Sequence, residues 1–195
     1  MVCSMCNDKK FIVTLPKHLS IIGVEETKPC PICSGQGITS AGSHPSFEYV
    51  VNISPGFSFK QAVTVGQYDY VQKGINEIKF DQPPKRTGQV RVKLTSFDAG
   101  ITTKKIEDEF FRMGYMPADI WAMLAFGQQF PDIQNKYCIV ALGSGIFSAY
   151  LKTFYDGYSF PALRSVFTKR QVIMIVSMGQ HGWDPSYMFL GMSRH

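Results

Sequence analysis

Two pairs of closely spaced cysteines near the start of the chain restrict its fold more than any other feature of the sequence. Cys3 and Cys6 form one pair, Cys30 and Cys33 form the other, and 23 residues separate the pairs. Each C-x-x-C turn directs two thiolates toward one metal ion, and two such turns complete a tetrahedral four-sulfur site. Because all four positions are filled, none is open to water, as in structural zinc sites. The sequence therefore predicts a small zinc ribbon over residues 1–40, with Zn²⁺ as a structural cofactor.

The spacer between the two pairs has the composition of a short hairpin. Its strand-like stretches, residues 11–15 and 20–24, lie on either side of Pro16-Lys17-His18. Three alternatives compete with a four-cysteine site. Disulfides are disfavoured because the chain shows no secretion signal, and a redox-active pair is disfavoured because neither pair lies between a strand and a helix. In the third alternative, His18 or His44 replaces one cysteine as a ligand.

The second cysteine pair carries a family resemblance. Residues 30–37, Cys-Pro-Ile-Cys-Ser-Gly-Gln-Gly, resemble the zinc knuckle in the cysteine-rich domain of J-domain co-chaperones. Glycines after the second cysteine relieve crowding where backbone N–H groups turn toward sulfur. Those domains repeat the motif, whereas the pair at Cys3 and Cys6 lacks the glycines. The resemblance implies a zinc site and no co-chaperone function.

The chain shows no pattern of export or membrane insertion. Its N-terminus lacks the positive start and apolar run of a signal peptide. Its apolar runs, such as residues 172–176, are far shorter than the ~20 residues that a membrane span requires. We therefore expect a soluble, cytoplasmic protein with no membrane partner.

The charge distribution argues against nucleic acid as the main partner. The net charge is +5, and no run of Lys or Arg is longer than two residues. A nucleic-acid-binding surface instead clusters its positive charge on one face or along one helix. With 45% hydrophobic and 18% charged residues, the chain is suited to filling a folded core.

The rest of the chain predicts one α+β domain over residues 47–195, which follows a linker rich in Gly and Ser over residues 34–46. A strand is expected over 47–53, and polar–apolar alternation predicts another over 89–97. Four more strands are predicted near the end of the chain, over residues 137–142, 147–154, 171–178 and 187–192.

Three helices are predicted between these strands. Ser58 caps a short helix over 58–65, and Thr102 or Thr103 caps a helix over 104–113 that ends at Gly114. The third helix begins at Pro117, a residue suited to the first helical position, and ends before Pro131. After the first short helix, the order is strand, helix, helix and then strands.

The segment 102–130 has the outline of a helix-turn-helix. In that motif the second helix reads base edges in the major groove. Here the second helix contains no Lys or Arg, and Trp121, Met123 and Phe126 are suited to packing. The composition therefore favours a core helix over a DNA-reading one.

Gly143-Ser144-Gly145 has the outline of a phosphate-binding loop. A dinucleotide-binding fingerprint would continue as GxGxxG and open a helix. Because a strand-like pattern follows instead, we interpret the segment as a turn between strands.

Residues 93–145 resemble a family of uncharacterised bacterial proteins. The resemblance rests on four pieces in order: Met113-Gly114-Tyr115-Met116-Pro117-Ala118, Met123-Leu124-Ala125-Phe126-Gly127, Phe130-Pro131-Asp132-Ile133-Gln134 and residues 139–144. It weakens toward residue 194. The family has no established activity, so the resemblance implies no catalytic residues.

The order of elements also resembles the C-type-lectin-like fold, which includes formylglycine-generating enzymes and the variable proteins of diversity-generating retroelements. Trp183-Asp184 before a final strand is compatible with that fold. The calcium-binding tripeptides and the paired active-site cysteines of these families are missing. The analogy implies a binding scaffold.

Two aromatic segments near the C-terminus are the predicted ligand-binding loops. They combine imidazole, indole, carboxylate and phenol groups, which are suited to ligand contact. In the alternative interpretation, Trp183 fills the core and Asp184 caps a turn. The predicted ligand-binding residues are Tyr155, Tyr158, His181, Trp183, Asp184 and Tyr187.

Three functions follow from these features. The first is a non-enzymatic binding protein for an unidentified protein or small molecule, stabilised by zinc. The second is a zinc-ribbon protein that binds nucleic acid or the ribosome. The third is an enzyme that uses Cys138 as nucleophile and His181 as base. Because the sequence contains no further catalytic set, we favour the first.

Overall fold

A computed structural model describes two short backbone stretches, residues 11–13 and 27–29, together with residues 44–73, 75, 80, 84–147, 157–177, 179 and 182–194. The chain divides into two units, Met1–Pro45 and Ser46–His195. This division falls inside the stretch predicted as a linker.

In the first unit, strand β1 (Phe11–Val13) pairs with strand β2 (Thr27–Pro29) in antiparallel orientation. The first strand-like stretch of the spacer therefore contains a strand. Its partner lies later than the predicted stretch 20–24, which is outside the described residues. The four cysteines also lie outside them, so the zinc ribbon stays a prediction.

The second unit is mixed α+β, with more strand than helix, which confirms the broad fold class. Its helices are α1 (Phe59–Val65), α2 (Thr103–Arg112), α3 (Ile120–Gln129) and α4 (Pro131–Gln134). Its strands are β3 (Ser46–Ile53), β4 (Tyr70–Val71), β5 (Gly88–Thr95), β6 (Tyr115–Pro117), β7 (Cys138–Val140), β8 (Ile146–Phe147), β9 (Tyr158–Val166), β10 (Lys169–Val176) and β11 (Tyr187–Ser193). None of the helices in these described residues is both long and apolar enough to traverse a lipid bilayer.

The strands of the second unit form one nine-stranded sheet. Seven of them lie in the order β3-β5-β11-β7-β9-β10-β4, while β6 also pairs with β11 and β8 with β9. Among the described strands, only the β7–β11 and β4–β10 pairs are parallel. The two edge strands, β3 and β4, therefore come from the early part of the unit, and the late strands form the centre.

Helices cover both faces of this sheet. Val92 and Leu190 point to the face that packs against α1 and α3. Strand residues that point to the opposite face, such as Phe189 next to Leu190, pack against Ile106 and Phe110 of α2. Because successive strand residues point to opposite faces, a strand covered on both faces is apolar throughout. This explains the continuous apolar runs of β7, β10 and β11.

Helix α3 begins at Ile120, so the predicted start at Pro117 was wrong. Residues 115–117 pair with β11 as strand β6 instead. The side chain of Asp119 caps the helix, because its Oδ1 accepts a hydrogen bond from Ala122 N at 2.8 Å. All residues from 120 to 127 are buried. A buried helix cannot enter a DNA groove, which confirms the core-packing interpretation.

Strand β9 was missed by the sequence analysis. Pro161 supplies no N–H for pairing, and it interrupts the strand pattern together with the exposed Arg164. The strand nevertheless pairs with β7 and β8 on one side and along its length with β10 on the other. Tyr158 therefore lies in a strand, whereas the sequence analysis placed it in a loop.

Candidate functional site

Two adjoining depressions run along one side of α2. The first has a volume of about 660 Å³ and the second about 420 Å³. Glu107, Leu142 and Gly143 line both, so the depressions meet at these residues. We call the pair the α2 groove. The first depression has two walls. Thr102, Thr103 and Lys104 line one wall, and Tyr158 and Phe160 line the other.

The first wall of the α2 groove is the N-terminal half of α2. Thr102 caps this helix by accepting a hydrogen bond from Lys105 N. The helical repeat then places Thr103 and Glu107, four residues apart, on one side. Within the described part of the chain, the Glu107 carboxylate accepts no hydrogen bond. Among the described residues it is therefore an unoccupied hydrogen-bond acceptor at the junction of the two depressions.

The opposite wall is aromatic. The Tyr158 side chain is 43% exposed. Its ring centroid lies 5.3 Å from that of Phe147, which is its cross-strand partner, and 6.2 Å from that of Phe160. Exposed ring surface of this kind offers a stacking platform to a flat ligand group.

Glycines form the floor between the two walls. A Cβ atom on Gly143 would lie 2.6 Å from the backbone oxygen of Pro117, so only glycine fits there without a backbone shift. The Gly143 N–H donates to the carbonyl of Ala118, and Ser144 Oγ accepts from Ile120 N at 2.8 Å. These bonds tie the floor to the start of α3. They also confirm the segment 143–145 as a turn between strands.

A buried tryptophan supports the first wall from behind. Trp183 is only 2% exposed, and its Nε1 donates a hydrogen bond to Thr103 Oγ1 at 3.0 Å. The Thr103 hydroxyl also lies 3.3 Å from Ser177 Oγ. The indole therefore orients the Thr103 side chain at the groove and does not itself face solvent.

The other predicted ligand-binding residues lie away from the groove lining. Asp184 caps a turn, because its Oδ1 accepts from Ser186 N at 2.8 Å, and the hydrogen bonds from Ser186 lower the pKa of the carboxyl group. Tyr187 is half-buried, and its ring meets the edge of Trp183 at 5.6 Å. Trp183 and Asp184 thus hold the positions that the packing alternative expects. Tyr155 and His181 lie outside the described residues.

Cys138, the candidate nucleophile, is in an unfavourable setting for thiolate chemistry. Burial raises the pKa of its thiol to about 11, although the nearby positive charge of Arg164 opposes part of that shift. The thiolate is the reactive form of cysteine. At neutral pH the thiol is therefore protonated, and no activating base is visible in the described residues around it.

We predict slow alkylation of Cys138 in the folded protein. At pH 7.5, iodoacetamide is expected to label this thiol at least tenfold more slowly than after unfolding in urea, because little thiolate is present. Peptide mass mapping distinguishes Cys138 from the other four cysteines. Labelling of native Cys138 as fast as that of the unfolded chain would contradict the raised pKa.

Comparisons with known proteins give no match to a family model, to a curated protein or to a solved structure. The resemblances to the bacterial family, to the co-chaperone knuckle and to the C-type-lectin-like fold therefore stay predictions. Among the described residues, no group of three or more His, Cys, Asp or Glu side chains is placed to hold a metal ion.

Proposed function

We propose that this chain is a non-enzymatic binding protein that holds its ligand in the α2 groove. One observation carries the proposal. An exposed aromatic wall at Tyr158 faces α2, and the free carboxylate of Glu107 lies beside the glycine floor. Apolar ring surface with a few polar groups is the common composition of small-ligand sites.

The two walls define the chemistry of the ligand. A flat ring stacks on Tyr158, and a hydrogen-bond donor, best a cationic one, reaches Glu107. Lys104 does not neutralise this carboxylate directly, because its Nζ pairs with Asp108 at 2.6 Å. The second depression, beyond Glu107, leaves room for a substituent that extends past the cationic group.

Two probes that carry the same ring and opposite charges test this chemistry. Tryptamine and indole-3-propionate share the indole ring, so a difference between their dissociation constants reports the effect of charge alone. Titrations monitored by protein NMR measure both constants. We expect tryptamine to bind more tightly. Tyr158→Ala should weaken tryptamine binding about fivefold, in line with the ~1 kcal/mol attributed to aromatic pairs, and Glu107→Gln should remove the preference for tryptamine.

A matched control is available on the far edge of the sheet. Tyr70 on β4 has a similar exposure, 48%, and does not line the groove. Tyr70→Ala should therefore leave the dissociation constant of tryptamine unchanged. Equal losses in the two tyrosine variants, or equal affinity for the two probes, would contradict the proposed site.

We also propose that Cys3, Cys6, Cys30 and Cys33 hold one structural zinc ion. Four thiolates match the preference of zinc for tetrahedral sulfur ligation. The antiparallel pairing of β1 with β2 supports the proposal, because it places Pro29, the neighbour of Cys30, opposite Phe11. The second candidate function, nucleic-acid or ribosome binding, depends on this same module and gains no support from the described residues.

Metal analysis of untagged protein tests the zinc site. Near-stoichiometric zinc is expected in the purified chain, and Cys30→Ser should lower the bound zinc strongly. Cys138→Ser is the matched control and should leave it unchanged. Purified protein without a bound divalent metal would contradict the zinc site.

A further inference from the structure

Strand β3 forms one edge of the nine-stranded sheet. Over its eight residues it pairs only with β5 among the described strands. Such an edge presents a row of N–H and C=O groups on its outer side, ready to pair with another strand. Whether another strand can pair here depends on which of these groups already have hydrogen-bond partners.

The side chain of Gln129 shows which groups point outward. Asn52 N donates to Gln129 Oε1 at 2.9 Å, and Gln129 Nε2 donates to Asn52 O at 3.0 Å. The backbone groups of Asn52 therefore point away from β5. In an antiparallel ladder this direction alternates, so the N–H and C=O groups of Val50 and Glu48 also point outward.

These outward groups are open. In the described part of the chain, no donor or acceptor bonds to the backbone of Glu48 or Val50 across this edge. Gln129 thus covers the end of the edge at Asn52, and none of the described residues covers the stretch from Ser46 to Val50. An added strand can form main-chain hydrogen bonds along this stretch only.

A positively charged groove adjoins the open stretch. This depression, about 680 Å³, lies on the sheet face shared by Val50 and its cross-strand partner Arg91. Val50 is 54% exposed. The Arg91 guanidinium donates no hydrogen bond to the residues that the structure describes. Its charge helps to lower the pKa of Glu48, while its hydrogen-bond donors are available to a ligand.

The other charged side chains near Arg91 already have hydrogen-bond partners. Glu48 accepts from Lys93 Nζ at 3.1 Å and from the Tyr115 hydroxyl at 2.9 Å. Arg194 donates to the carbonyls of Phe111 and Tyr115. Arg91 is thus the cation that remains for an acidic group beside Val50.

The other face of the edge is apolar. Phe47 is 42% exposed, and it lies on the same face as Tyr49, which packs against the core. A strand added to β3 would cover this exposed surface with alternate side chains. Its remaining side chains would lie on the face of Val50 and Arg91.

We infer that β3 is a docking edge for an extended peptide segment of another protein, one that carries an acidic side chain followed by apolar residues at alternate positions. The acidic group lies opposite Val50 and reaches Arg91. The apolar side chains one and three residues after it cover Tyr49 and Phe47. Main-chain pairing supplies affinity and the alternating side chains supply selectivity, as in other cases of strand addition.

The probe is a fluorescein-labelled, end-blocked peptide of sequence Glu-Val-Thr-Val-Thr, which in antiparallel pairing runs from Val50 to Ser46, compared with the same peptide carrying Gln or Lys in place of Glu. Fluorescence anisotropy measures binding. We expect the Glu peptide to bind several-fold more tightly than the Gln peptide and the Lys peptide to bind least. Arg91→Gln should remove the difference between Glu and Gln, whereas Lys60→Gln, which changes an exposed lysine on α1, should keep it.

Two further variants separate strand pairing from simple charge attraction. Val50→Pro removes an outward N–H that makes no ladder bond, so the fold should tolerate it while peptide binding is lost. Gln129→Ala frees the backbone of Asn52, so a seven-residue peptide should gain affinity over the five-residue one in this variant only. Thermal melting of each variant confirms folding.

Three results would overturn the inference. One is the absence of saturable binding for all three peptides, and another is binding of the Glu peptide that Val50→Pro leaves intact. The third is a self-association of the protein that Val50→Pro abolishes, because the edge would then serve a second copy of the chain.

Discussion

Replacing Arg170 by alanine should lower the free energy of unfolding by about 3 kcal/mol, since buried carbonyl groups lose their partner. The Arg170 guanidinium donates hydrogen bonds to the carbonyls of Gly66 and Gly127 and to Gln134 Oε1. It also lies over the Tyr68 ring, 4.7 Å from the centroid. One side chain thus joins the ends of α1 and α3 to α4 and β10.

Urea unfolding measures this loss, and Arg170→Lys is the matched variant. Lysine keeps the charge but cannot present the planar set of donors that reaches three acceptors. We therefore expect it to recover less than half of the lost stability. If alanine at position 170 changed the unfolding free energy by less than 1 kcal/mol, the joining role of Arg170 would be wrong.

Gly143→Ala is expected to destabilise the second unit by about 1 to 3 kcal/mol, in the range of overpacked core sites. The added Cβ would lie 2.6 Å from Pro117 O and 2.8 Å from Ala118 O. Both are backbone atoms held by neighbouring pairing, because Ala118 N donates to Leu190 O. The floor of the α2 groove or the start of α3 must therefore shift.

Gly145→Ala provides the comparison. Its added Cβ would meet only the ring of Phe160 among the nearest atoms, and a side chain can move more easily than a backbone. We expect a smaller loss of stability and a narrower groove. Equal unfolding midpoints for Gly143→Ala and the unmodified chain would show that the floor has more space than its geometry indicates.

Local signals explain what the sequence predicted well. Ser58 caps α1 with a full capping box, and Thr102 caps α2, which ends before Gly114 as expected. Caps and glycine stops act within a few residues, so a single sequence contains all the information. The strand predicted over 89–97 corresponds to β5 because its alternation reflects one buried and one exposed face.

Tertiary pairing explains what could not be predicted. Residues 115–117 form β6 because β11, far away in sequence, offers a partner. Strand β9 forms despite Pro161 because β10 pairs with it over eight residues. Such pairings outweigh local preferences, since strand propensity depends strongly on neighbouring strands.

The candidate site shows the same limit. Tyr158 was predicted as a ligand-binding residue and lines the α2 groove, and Trp183 lies directly behind its first wall. Glu107 and Gly143 were not predicted, because one sits among charged residues on a helix and the other in a turn. Only the fold brings segments 102–107, 142–145 and 158–160 around one groove.

The most direct test of the proposed function is to locate bound tryptamine by intermolecular nuclear Overhauser effects. We expect contacts from the indole protons to the Tyr158 ring and from the ethylamine chain to the side chain of Glu107, with further contacts to Gly145. Contacts confined to residues outside the α2 groove, or no contacts at saturating tryptamine, would contradict the assignment of this groove as the binding site.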